Sequence, residues 1–235
     1  MKFKFMKNLD KIVCLHCIED KERFEYISEV LRELDLLDIT YISEFTKLDT
    51  INLKLGDSLP QLKTRYYNSF EGEIYKSVFS CMYNWLQLIS QSKIKYNSIL
   101  CIEDDVRFHC SKQELESILD QIPDGADIVL LGYGFNPSYR INGRDIYLKF
   151  RDSQLFTKLT RQFKLTGMFA VWMNQRGMDY YLRYVQDKCC CSDLIWLDID
   201  NDLQREMDVN IYICNKPTIN PNRKLPSVII TNNKE

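Results

Sequence analysis

The sequence lacks an apolar run long enough to cross a membrane as a helix. It also lacks an excess of either charge. Its 31 basic and 33 acidic residues leave a formal net charge of -2, which argues against a protein that works mainly by gripping nucleic acid. The opening residues interleave Lys2, Lys4 and Lys7 with Phe3 and Phe5 and have no apolar core of the kind a signal peptide needs. A cytoplasmic protein with free thiols is therefore expected. No internal repeat or low-complexity linker divides the chain. With 235 residues, 45% of them hydrophobic, one packed domain over residues 1–235 is expected, with an extended C-terminal tail from about residue 216.

Histidine is scarce: His16 and His109 are the only two. Cysteine is not scarce, but the nine are odd in number, and Cys14, Cys81, Cys101 and Cys214 sit inside apolar runs. That is core usage, not a disulfide framework. Cys14 and Cys17 have C-x-x-C spacing, yet Cys14 falls in an expected strand. A structural zinc needs four converging ligands, which so few histidines do little to supply.

What is present alternates strand and helix. Residues 11–17 read as a first strand. Asp20 can cap a helix carrying Phe24, Ile27, Leu31 and Leu34 at helical spacing. A weaker strand comes next, around Ile39 to Ile42. Residues 48–69 have no clear period and read as a loop. A second helix over 71–91 carries the stripe Ile74, Val78, Met82, Trp85 and Ile89. Ser111 and Glu114 form a capping box that opens a third helix. Residues 127–132 are a buried strand. Residues 133–165 loosen into interleaved aromatic and basic residues, which suit a binding loop or a short hairpin. Residues 166–173 form a strand, with Asn174 capping the helix after it, and residues 210–215 form a last strand. The alternation implies an α/β fold with a mostly parallel sheet.

The chemistry concentrates in residues 98–108. An apolar run there ends in Glu103, Asp104 and Asp105. A run without polar alternation suits a strand buried on both faces, so the acids should mark its C-terminal edge, where open α/β sheets bind ligands. In an extended chain Glu103 and Asp105 would point the same way. Two hard oxygen ligands on one face can hold Mg or Mn, which commonly bridges carboxylates to substrate phosphates. The plain alternative is an acidic turn that caps the next element of the chain.

Several short matches then fall in a familiar order. They are Leu15-His16-Cys17 with Arg23, Ser80-Cys81 with Trp85, Ile102-Glu103-Asp104-Asp105, Asp127 to Gly132, Gly167 with Ala170 and Gly177, and Asp200 with Leu203. In these the chain resembles glycosyltransferase family 25, the lipooligosaccharide and procollagen galactosyltransferase type, over about residues 11–221. His16, Cys81, Met168 and Val171 depart from the family's pattern.

The resemblance implies a GT-A-like, Rossmann-like mixed and mostly parallel sheet flanked by helices. It implies metal-assisted, inverting transfer of a hexose, galactose or glucose, from a nucleotide-diphosphate sugar such as a UDP-hexose. The acceptor would be a hydroxyl of a glycan or lipooligosaccharide, which would bring the protein to the inner face of a membrane. Glu103 and Asp105 would hold Mn or Mg. Arg23, Asp104 and Gly167 would bind the donor, and Asp200, with Asp198 and Asp193 behind it, would be the base. A nucleotidyltransferase would want a glycine-rich loop after the first strand, and residues 17–21 contain no glycine. A calcium loop over residues 198–209 would want glycine where Leu203 stands. The remaining alternative is a non-catalytic nucleotide-sugar or glycan-binding protein of the same fold.

Overall fold

A computed structural model describes residues 6, 8–45, 73–133, 138–141, 144–147, 154–159, 163–164, 168–190, 209–222 and 225. The expected loop at 48–69, Gly167, and the acidic stretch with Asp193, Asp198 and Asp200 lie outside these residues.

The chain opens with β1 (Lys11–Leu15), α1 (Lys21–Glu33), a single 3-10 turn (Leu37–Ile39) and β2 (Thr40–Ile42). Next come α2 (Glu73–Lys95), β3 (Ser98–Glu103), β4 (Val106–Phe108), α3 (Lys112–Asp120) and β5 (Ile128–Tyr133). Four short strands come after them, β6 (Ser138–Ile141), β7 (Arg144–Tyr147), β8 (Phe156–Lys158) and β9 (Phe163–Lys164). The chain then forms β10 (Met168–Asn174), α4 (Gln175–Cys190), β11 (Ile211–Cys214) and β12 (Ile219–Pro221).

Seven strands form one mixed sheet in the order β2-β1-β3-β10-β5-β11-β8. β1 pairs in parallel with β2 and β3, and β5 with β11, while β10 and β8 run against their neighbours. Five strands therefore share one direction, as expected, but an antiparallel strand sits among them. The cause is the excursion after β5. The chain leaves the sheet at Tyr133 and re-enters at Met168, which pairs with Tyr133. A chain that leaves and returns at the same edge must run back the other way. The loosened region 133–165 contains the β6–β7 hairpin, extended by β9 into a three-stranded sheet.

The apolar runs explain the layering. Along β1, Ile12 and Cys14 join one buried cluster while Val13 and Leu15 join the other. Ile27 and Leu31 of α1 and Leu115, Ile118 and Leu119 of α3 pack on the first face. Trp85, Leu88 and Ile89 of α2 and Met178 and Tyr181 of α4 pack on the second. A strand covered on both faces has no polar side to show, hence the unbroken hydrophobic runs. Phe24, read as part of the α1 core stripe, is instead 41% exposed. The caps are formed as read. The Asp20 side chain accepts from the Arg23 amide, Ser111 and Glu114 cap each other, and Asn174 Oδ1 accepts from the Gly177 amide at 2.8 Å. Among the described residues no helix is long and apolar enough to cross a membrane.

Candidate functional site

The strand order itself selects a place. From β1 the chain passes through α1, on one face, to β2 on one side. From β2 it returns through α2, on the other face, to β3 on the opposite side of β1. The gap beyond the C-terminal ends of β1 and β3 is thus a topological switch point, where open α/β sheets form a crevice. Leu15 pairs with Glu103 across it. His16 comes directly after the first strand, and Asp104 and Asp105 directly after the second.

Glu103 ends β3, and Asp104 and Asp105 form the tight turn into β4. The strand alternation that was expected to aim Glu103 and Asp105 alike therefore stops at Glu103. A turn rather than the pleat sets the direction of Asp105.

Asp104 is 5% exposed and has both carboxylate oxygens engaged. Oδ1 accepts from Arg23 Nη1 at 2.9 Å, and Oδ2 lies 2.9 Å from His16 Nδ1. His16 is itself buried, its amide donates to Ser43 Oγ at 3.0 Å, and its ring meets Phe24 with centroids 5.3 Å apart. His16 is thus a structural partner of the acidic turn. Arg23 sits in the first turn of α1, where its side chain reaches back over the strand ends. Its Nη2 lies 3.2 Å from Asp105 Oδ2, and its Nε lies 3.3 Å from Asp20 Oδ2. Burial opposes its charge, but Asp105, Asp104 and Asp20 outweigh that and raise its pKa. Arg23 and Asp104, both read as donor-binding groups, are therefore brought together, each spending hydrogen bonds on the other.

Asp105 differs from Asp104. Its Oδ2 faces Arg23, but its Oδ1 is buried with no hydrogen-bond partner among the described residues. Burial pushes its carboxyl up, against the pull of Arg23 and with the help of Asp104. A desolvated carboxylate oxygen without a partner is costly, and a bound cation is one way to satisfy it. The same acids, after burial, help raise the pKa of the Cys14 thiol beneath them, so Cys14 is not a nucleophile. Cys17 is half-exposed and bonds Glu19, and the C-x-x-C pair shows no converging metal set. Among the described residues no group of three or more His, Cys, Asp or Glu could hold a metal. Among the described residues a cation here would have one or two carboxylates to rest on, hard oxygen ligands of the kind that suit Mg or Mn.

Asp127 and Gly177, matched within motifs, lie elsewhere. Asp127 precedes β5, at the opposite edge of the sheet, where it accepts from Asn174 Nδ2 at 3.2 Å and from the Asn210 amide at 2.9 Å. Gly177 leaves no room for a Cβ against the Asp127 carbonyl. Their motif is structural. Sequence reading missed Asn222. Its amide donates to the Asp105 carbonyl at 2.6 Å, and no spacing pattern marked it.

No family model and no curated protein sequence matches the chain. Among solved structures, mouse xyloside xylosyltransferase 1 in its apo form is similar to it at 14% identity, over 76% of this chain and 75% of that one, with a TM-score of 0.39.

Proposed function

We propose that this chain is a glycosyltransferase of the family 25 type. It would move a hexose, galactose or glucose, from a nucleotide-diphosphate sugar such as a UDP-hexose to a hydroxyl of a glycan or lipooligosaccharide acceptor. The observation that carries the reading is Asp105 Oδ1, a buried carboxylate oxygen without a partner among the described residues, at the switch point of a mixed α/β sheet. Glu103 and Asp105 would hold Mn or Mg, and the ion, when bound, would neutralise charge developing on the diphosphate leaving group. Asp104 and Arg23 fix the turn from behind, so their part is to position Asp105. Gly167, just before β10, would let the donor approach the backbone. Asp200 would take the acceptor proton, as the resemblance implies, and Asp200→Asn would keep donor binding while lowering turnover by about a hundredfold or more.

A thermal-shift screen of nucleotide sugars with and without manganese tests the reading, because a ligand that binds only the folded state raises its melting temperature. A metal-dependent shift with a UDP-hexose supports it, and no shift with any donor removes it. The second reading is a non-catalytic nucleotide-sugar or glycan-binding protein. The mutual engagement of Arg23 and Asp104 favours it, since a group held by its neighbour has less to offer a substrate. Metal-stimulated donor hydrolysis separates the two, because only the enzyme turns the donor over.

A further inference from the structure

The chain's last described strand lies against the acidic turn. The Thr218 amide donates to the Leu131 carbonyl at 3.2 Å, and the Thr218 carbonyl accepts from the His109 amide at 2.7 Å. β12 then runs antiparallel along β4, pairing Ile219 with Phe108, Asn220 with Arg107 and Pro221 with Val106. The next amide, that of Asn222, closes on the Asp105 carbonyl at 2.6 Å. From the other side the Tyr26 hydroxyl of α1 donates to the Val106 carbonyl at 3.1 Å, and the Asn222 side chain bonds the same hydroxyl. Gly132, in β5, holds the strap down. A Cβ there would strike the Ile219 carbonyl, so only glycine lets β12 lie this close.

We propose that the segment from Thr218 to Asn222 is a positioning strap for the acidic site, with the Asn222 main-chain amide as the group that sets the Asp105 turn. The proposal rests on reading that turn as a cation and diphosphate site. β4 pairs with no strand of the seven-stranded sheet, so β12 is what fixes the far side of the turn. Arg23 fixes one carboxylate oxygen of Asp105 and Asn222 fixes its carbonyl, and together they restrict where the other carboxylate oxygen, Oδ1, can lie. Removing a hydrogen bond that orients a metal-binding carboxylate costs roughly ten- to a hundredfold in metal affinity.

The test uses the full chain with four substitutions. Asn222→Pro removes the amide donor, and Asn222→Ala keeps it. Gly132→Ala displaces the strap. Gly177→Ala inserts a similar Cβ against a carbonyl at the opposite sheet edge, and so controls for general destabilisation. Hydrogen exchange of amides 105–109 and the dissociation constant for manganese alone are measured for each. Asn222→Pro and Gly132→Ala should each speed that exchange by about tenfold and weaken manganese binding by about tenfold, with Asn222→Ala and Gly177→Ala close to the parent in both. Exchange unchanged in both Asn222→Pro and Gly132→Ala overturns the strap. So does Asn222→Ala matching Asn222→Pro, because the side chain would then be the operative group. So does faster exchange with unchanged manganese affinity, because the strap would then be structural only. Should the parent protein bind no manganese, the cation reading fails by itself, and the exchange measurements alone decide whether the strap holds the turn.

Discussion

Arg23 Nη1 lies 2.9 Å from Asp104 Oδ1, with the two side chains 10% and 7% exposed. A buried ion pair of this kind is weak as a net source of stability but costly to break on one side, because the remaining charge has no partner and little water. Arg23→Met leaves Asp104 and Asp105 facing each other without their shared cation and should cost about 3–5 kcal/mol in urea unfolding. Asp104→Leu alone also strands His16 Nδ1. The double variant Arg23→Met, Asp104→Leu should be less destabilised than the two single costs added together, because neither charge is then left alone. Strict additivity in that cycle would show that the pair is not coupled.

Asp105 should behave differently, because burial already pushes its carboxyl up and one oxygen lacks a partner among the described residues. Asp105→Asn removes a charge that folding disfavours while giving up one ion pair to Arg23. The two effects oppose, so stability should change by about 1 kcal/mol or less. Metal-dependent binding of a UDP-hexose, followed by calorimetry, should be lost. Retained affinity with the same metal dependence would remove Asp105 from the site.

Asp127 provides the contrast. It is 3% exposed and ties the starts of β5 and β11 to the end of β10. Asp127→Ala strands the Asn210 amide and loosens Asn174, and should destabilise by about 1–3 kcal/mol. Donor affinity should stay at the parent value, since the residue lies at the sheet edge opposite the crevice. A selective loss of donor binding at unchanged stability would place Asp127 in the site after all.

How far the sequence reveals this arrangement depends on range. Local signals were legible. The apolar run ending at Glu103, the Ser111–Glu114 box and the Asn174 cap are each written within a few residues. The direction of β10 was not legible, because it stems from where the chain re-enters the sheet after the hairpin and not from any periodicity. The acidic triplet was legible as the end of a buried strand, but its turn was not, since a run of three carboxylates fits a strand end or a turn equally well. Arg23, Asp104 and His16 come together across 81 and 88 residues of sequence. Asn222 was invisible for the same reason, and its segment, with Pro221 in it, read only as part of an extended tail. A proline is tolerated in a two-stranded edge pairing such as β12 with β4.

The buried thiols give the last prediction, a loss of stability in alkali. Cys14 and Cys101 are wholly buried, and burial raises both pKa values well above the ordinary thiol range. Burial also raises Cys214, and it pushes Cys110 from 9.0 to about 11. A thiol with a raised folded pKa keeps its proton after the unfolded chain has lost it. Between the two pKa values the unfolded state binds fewer protons, so unfolding becomes easier as pH rises. For Cys110 that window opens near pH 9.0 and closes near 11. For Cys14 and Cys101 it extends further, and burial of the Tyr133 phenol adds to it from 10.0 upward. Unfolding midpoints in urea should therefore be flat up to about pH 8 and then fall steadily, with Cys101→Ser shallower than the parent over the same range. The half-exposed Cys17 should meet a thiol reagent in the folded protein long before Cys14 or Cys101 does. A midpoint independent of pH from about 8 to about 10.5 would contradict the burial of these thiols as uncharged core groups, and with it the placing of β1 and β3 as interior strands covered on both faces.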